Sequence, residues 1–173
     1  MALIIRHRAT VQDGWLLLEQ GAAGALPFGG DVIVPLDLWT SERDTLSFRL
    51  GRIGVWLEAG TDPAALAPDL ARFDVIAVRF ASFADGRGYT LARLLRERYG
   101  YRGELRAIGD VLRDQLYYLS RCGFDAFALR ADQDAGQALS ALDDFSEAYQ
   151  TSVERPKPLF RRRLESNPRR KSA

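Results

Sequence analysis

Three arginines carry the clearest chemical signal in this chain. Arg79 and Arg106 each interrupt an apolar, strand-like run (Val78-Arg79-Phe80 and Leu105-Arg106-Ala107), and Arg87 lies in the glycine-bearing loop Asp85-Gly86-Arg87-Gly88. An unpaired charge in such a strand costs several kcal/mol, so Arg79 and Arg106 each need a carboxylate partner or a rim position. A guanidinium fork suits either an internal ion pair or the grip of an oxyanion or a partner's carboxylate. Internal pairing would join Arg106 to Asp110 or Asp114, and Arg79 to Asp85. The alternative is an anion site. Ligands of parallel α/β folds bind outside the carboxyl ends of the strands, an edge that here gathers Arg79, Asp85, Gly86, Arg87, Arg106, Gly109, Asp110 and Arg130.

Neighbouring groups can be read in two ways. Asp-Gly is a turn dipeptide whose glycines supply positive φ, yet backbone N–H groups at the next helix start would also help Arg87 hold an oxyanion. Asp114, Gln115, Tyr118 and Arg121 fall on one helix with i+3 and i+4 spacings, which makes a recognition face or simply a solvated one. Cys122, beside a helix-ending glycine, reads as a small buried thiol rather than a redox nucleophile, with no second cysteine to resolve it.

Composition removes several function classes. The chain has one cysteine and one histidine, His7. An internal disulfide, a cysteine-held iron–sulfur cluster, a histidine-based triad and a multi-histidine metal site are therefore not expected. No cofactor is evident: GAAGALPFGG (21–30) fits neither dinucleotide nor P-loop spacing and reads as a connector. The first residues lack the apolar segment of a signal peptide, and no run reaches membrane-span length. The expected compartment is the cytoplasm.

The elements that must position these groups follow from periodicity. Two apolar runs, 3–5 and 15–18, flank Gln12-Asp13-Gly14 and predict an N-terminal hairpin. Strands are expected at 31–35, 53–57, 75–80, 104–108 and 124–129. The helices between them are one from about 42 to 50 capped by Ser41, one opening at Pro63 behind Thr61 or Asp62, one over 90–99, one from Asp110 to Gly123, and one over 134–150. In the last, Ala138, Leu142, Phe145 and Tyr149 would face inward. About five βα units mean an α/β fold with a mainly parallel sheet. An open, doubly wound sheet is favoured on length, with a partial (βα) barrel as the alternative.

The 173 residues thus read as one α/β domain over 1–150, with 1–30 as a hairpin and loop extension, and a basic tail over 151–173. That tail is expected to be disordered. From Arg155 onward eight basic residues face one acid, Glu165, so the net charge of +1 leaves −6 for residues 1–154. A nucleic-acid partner is not expected, because the tail lacks the interleaved aromatics of a single-strand binder.

The runs FADGRGY (83–89), ARLLR (92–96), GELRAIGDVL (103–112), Asp114-Gln115 and RCGFDAF (121–127) resemble a bacterial family, domain of unknown function 934. So do Ile4-Ile5-Arg6 and FSEAYQ (145–150). The resemblance spans nearly all of residues 1–150. Members are described as oxidoreductases of sulfite reduction, which implies a place in assimilatory sulfate reduction beside sulfite reductase. Since no flavin or cluster motif accompanies the resemblance, the expected role is an accessory that docks on sulfite reductase or another sulfur-assimilation enzyme. The alternatives are an enzyme or sensor for sulfite, sulfate or an adenylyl sulfate at the arginine rim and, more weakly, a flavin-dependent oxidoreductase.

Overall fold

The apolar runs assemble into one eight-stranded sheet in the computed structural model, which describes residues 2–21 and 26–166. The strands are β1 (Leu3–Arg6), β2 (Ala9–Gln12), β3 (Leu16–Leu17), β4 (Val32–Pro35), β5 (Ile53–Glu58), β6 (Val75–Phe80), β7 (Glu104–Gly109) and β8 (Ala126–Phe127). Their spatial order is β2-β1-β8-β7-β6-β5-β4-β3. Neighbours from β3 through β8 are parallel, and β1 joins β8 and β2 antiparallel at the far edge. From β8 back to β4 the order never reverses, as it would in a doubly wound sheet. Of the two expected arrangements, the sheet adopts the partial barrel, a curled half-barrel.

Strand parity explains its two faces. Val55, Leu57, Ile76, Val78, Phe80, Leu105, Ala107 and Phe127 face the helices. Those are α1 (Leu36–Ser41), α2 (Arg43–Ser47), α3 (Arg87–Glu97), α4 (Leu116–Arg121) and α5 (Ala135–Ala138). Their inward residues include Trp39, Leu46, Leu91, Leu95, Leu116 and Leu119. The alternate strand residues Ile33, Trp56, Val75, Ala77 and Ile108 line the other face and pack around Trp15.

The curl is required by connectivity. Gln12 ends β2 at one edge and Leu16 begins β3 at the other. Four residue steps reach at most about 14 Å. Seven strand spacings in a flat sheet would separate those edges by roughly 33 Å. The chain therefore crosses the concave side, pairing with β1 on the way in and with β4 on the way out. Trp56 Nε1–H donates to the Leu18 carbonyl at 2.8 Å and pins the far end of the crossing.

Several local expectations are corrected. The hairpin is β1–β2, closed by His7 and Arg8 with left-handed φ of 48° and 63°; Asp13-Gly14 belongs to the crossing, because 16–17 pairs with β4 instead. Helix forms at Leu36, directly after Pro35, and breaks at Glu42; Ser41 Oγ donates back to the Leu38 carbonyl and caps nothing. After Asp62, which does cap by accepting from Ala64 N–H, only two 3₁₀ turns form, Pro63–Leu66 and Leu70–Arg72. Asp110 caps no helix. The turn Arg113–Gln115 begins behind Leu112, whose N–H donates to the Gln115 side chain at 2.8 Å. The last helix is α5 followed by a 3₁₀ turn, Leu139–Asp143, leaving Phe145 and Tyr149 exposed. Within the tail expected to be disordered, α6 (Leu159–Ser166) forms, tied by Lys157–Glu165 and Arg162–Glu147 pairs; residues 167–173 lie outside the described residues.

Non-glycine residues in the left-handed region cost about 1–2 kcal/mol each, whereas Asn-Gly fits such a two-residue hairpin turn. The double substitution His7→Asn, Arg8→Gly should therefore raise the unfolding free energy by about 1 kcal/mol, after losing an exposed Arg8–Asp143 pair worth at most about 1 kcal/mol. Urea denaturation reads it, and a lowered midpoint would contradict the assigned turn.

Candidate functional site

The carboxyl edge of β6–β8 gathers Asp85, Gly86, Arg87, Gly109 and Asp110, as the strand pattern implies, together with Asp114 and Gln115 from the turn that follows β7. Its charges are closed on one another. Arg87 donates from Nε and Nη2 to the two Asp85 oxygens at 2.9 and 2.8 Å, and its backbone N–H adds a third bond. That guanidinium holds the Asp85 carboxyl down at about 2. Gly86 precedes α3, and Arg87 opens it.

Asp110 accepts from Phe83 N–H and from Arg130 Nη1, both at 2.9 Å. Arg130 also forks onto Asp132 at 2.7 and 2.8 Å and holds that carboxyl near 2. Gly109 is required here: its φ is 92°, and a Cβ would lie 2.4 Å from the Phe80 carbonyl oxygen. Gln115 is buried and donates to Tyr89 Oη at 3.2 Å, so its amide braces the turn. Burial pushes the Tyr89 hydroxyl upward. Tyr89 packs on exposed Tyr118, which with Phe83 gives this edge an aromatic border; Asp114 is exposed beside it.

The remaining predicted residues lie elsewhere. Arg79 is on the concave face, where Nη2 reaches Glu19 at 2.9 Å and the guanidinium lies 4.8 Å above the Trp56 ring. Its carboxylate is thus Glu19, across the crossing segment, and not Asp85.

Arg106 is only 2% exposed and sits inside the half-barrel rather than at its rim. Nε donates to Glu104 at 2.7 Å and Nη1 to Asp13 at 2.8 Å. Nη2 approaches the same Glu104 oxygen at 2.6 Å but off the hydrogen-bond direction, leaving that donor without an aligned acceptor. Neither Asp110 nor Asp114 takes part, because strand parity puts residue 106 with residue 104 on the face opposite the helices.

Arg121 is remote from the edge, donating to the Gln150 carbonyl at 2.9 Å. The three arginines do not converge. An oxyanion at the edge would have to displace Asp85 or Asp110 from a guanidinium that already holds it.

Two features at the opposite, amino-end side escape a reading confined to charged strand residues. Phe28, Phe48 and Leu50 are 92, 88 and 68% exposed. Arg49 ties their two loops together, donating to the Gly30 and Pro27 carbonyls at 2.7 and 3.3 Å. Gly51 lets the loops touch, since a Cβ there would sit 2.2 Å from the Gly30 oxygen. The Phe-Arg-Leu triplet just before Gly51 was the available sequence signal. The second feature is a pocket beside the His7-Arg8 turn.

The fold and edge together define a mostly parallel α/β half-barrel with an antiparallel hairpin on one side. The chain belongs to a family of bacterial proteins of unknown function (DUF934), whose sequence model matches residues 54–160. No curated protein matches it. Among the described residues no helix is long and apolar enough to cross a membrane, and no group of three or more His, Cys, Asp or Glu residues is placed to hold a metal ion.

Two measurements check this geometry. The Asp85 contribution to stability is fully present above the unfolded carboxylate range near 4 and fades as pH falls toward about 2. Carboxyl NMR should give an Asp85 midpoint near 2, and a midpoint near 4 would contradict the Arg87 fork. Burial raises the Cys122 thiol; it should react with a disulfide reagent at least about tenfold more slowly in the folded protein than in urea, and equal rates would contradict its placement.

Proposed function

We propose that this protein is a docking accessory of assimilatory sulfite reduction, working in the cytoplasm on sulfite reductase rather than carrying a redox centre of its own. The pathway rests on the resemblance of residues 83–127; the mode of action rests on the surface. One observation carries it: Phe28, Phe48 and Leu50 stand largely in water around Arg49, whose hydrogen bonds go to carbonyls. Clustered exposed apolar side chains mark interaction sites, and an aromatic–arginine combination suits the buried centre of an interface. The Arg49 guanidinium, hydrogen-bonded to carbonyls and only at longer range facing Asp31, suits an acidic group on the partner beside an apolar pocket. The carboxyl-edge guanidiniums, by contrast, are already engaged by Asp85, Asp110 and Asp132.

Burying one such phenylalanine is worth about 1.5–3 kcal/mol, or roughly 10–100-fold in affinity. Purified sulfite reductase from the same bacterium should bind the wild-type chain in biolayer interferometry. Phe48→Ser should weaken that binding by at least about tenfold, whereas Tyr118→Ser at the opposite edge should leave it unchanged. Absence of binding would overturn the partner. Binding that survives Phe48→Ser and Phe28→Ser but fails with Tyr118→Ser would move the docking face to the carboxyl edge.

A further inference from the structure

A pocket of about 510 Å³ opens at the amino ends of β7 and β8, on the side away from the carboxyl-edge loops. Phe124, Phe127 and Leu142 form its buried floor, and Val153 closes one wall through a backbone bond from its N–H to the Arg121 carbonyl. Gly123 at its base has φ 107°, and a Cβ there would lie 2.6 Å from the Arg96 Cγ, so this position excludes a side chain. Volume and lining match a small-molecule site: an apolar body with a few polar groups at the mouth.

The mouth holds His7, Arg8, Arg102 and Glu154. Arg96 lies against the wall, but its charge is spent: it donates to Asp125 at 2.9 Å and to the carbonyls of Tyr101, Gly103 and Gly123. Arg8 is held by Asp143. Arg102 is different, with no hydrogen bond or ion pair to any described residue. His7 likewise leaves its ring uncommitted, because only its backbone N–H is used, donating to the Asp125 carbonyl at 3.0 Å. Both sit beside an apolar floor that would otherwise be left to water.

The backbone adds an independent observation. His7 and Arg8 are the non-glycine residues with left-handed φ among those described. Asn-Gly would build the same turn with far less strain. Strain kept at a pocket mouth points to use of the side chains that cause it.

We infer that this pocket binds a small organic monocarboxylate with an aromatic or branched apolar body. The body lies on Phe124, Phe127 and Leu142, and the carboxylate takes the N–H groups of Arg102 and His7. Glu154 at the mouth opposes a second negative charge, which selects a monoanion over sulfate or phosphate. The site is independent of the Phe48 surface and of any partner there.

The test is a titration of full-length, ¹⁵N-labelled protein with 3-phenylpropanoate, with 3-phenylpropanamide and sulfate as controls. The carboxylate should shift the Gly123, Phe124 and Phe127 amides with a Kd of about 1 mM or tighter. The amide should bind about tenfold more weakly, having lost the charge-assisted contact. Arg102→Gln, exposed and without partners among the described residues, should weaken the carboxylate by about tenfold while leaving the melting temperature unchanged. His7→Asn, which retains the left-handed turn, should weaken it as well. No shift at about 10 mM carboxylate, equal binding of acid and amide, or unaltered affinity in Arg102→Gln would each overturn the assignment.

Discussion

A guanidinium buried in the concave face of a sheet must be surrounded by acceptors, and the acceptors of Arg106 come from two separate parts of the chain. Glu104 is its neighbour on the same strand face, two residues back. Asp13 arrives from the crossing segment. Removing one partner of a buried pair typically costs about 3–5 kcal/mol, because the other charge stays behind uncompensated. That penalty makes the Asp13 contact a constraint on the whole sheet. It draws the chain between β2 and β3 across the concave side, where Trp15 packs on Ile33, Val75 and Ala77. Once the crossing is held there, both sheet edges must lie within the reach of four residues. The curl, the filling of the half-barrel and the pairing of Arg79 with Glu19 follow from the same placement.

What could be read in advance divides along the range of the interactions. β5, β6 and β7 are mainly apolar runs, β6 and β7 each interrupted by an arginine, whose identity depends only on local pattern, and they fall where periodicity puts them. The N-terminal pairing does not. Residues 3–5 and 15–18 look like two arms of a hairpin, but Leu16 and Leu17 find a better neighbour in β4, reached only through the tertiary curl. Helix ends fail for a related reason: Phe145 and Tyr149 keep helical spacing in sequence, yet the helical stretch that opens at Ala135 ends at Asp143 and leaves both in solvent. Pattern reports amphipathicity, and contact decides whether it is used.

The same division governs the site. The Asp85-Gly86 and Gly109-Asp110 turns are legible because each carries turn residues, and Gly109 adopts positive φ. The fork of Arg87 on Asp85 is not, since the expected partner of Asp85 is Arg79, which strand direction sends to the concave face. Glu19 and Asp13 lie far along the chain from Arg79 and Arg106, so no spacing rule finds them. Nearby aspartates offered plausible partners that strand parity rules out. The edge that collects ligands in many parallel folds is therefore closed here by its own carboxylates. The amino ends carry exposed apolar side chains on two touching loops, and Arg102 beside an apolar pocket. This distribution favours a protein that presents a surface over one that holds a small oxyanion on its strand rim.

The central claim is that Arg106 is an internal brace and not a ligand-binding arginine. A double-mutant cycle of Asp13→Ala and Arg106→Met in urea denaturation tests it directly. Asp13→Ala alone should cost about 3 kcal/mol, and Arg106→Met should relieve much of that loss, giving a coupling energy of about 2 kcal/mol. Additive effects within about 0.5 kcal/mol, or an Asp13→Ala protein as stable as wild type, would contradict it.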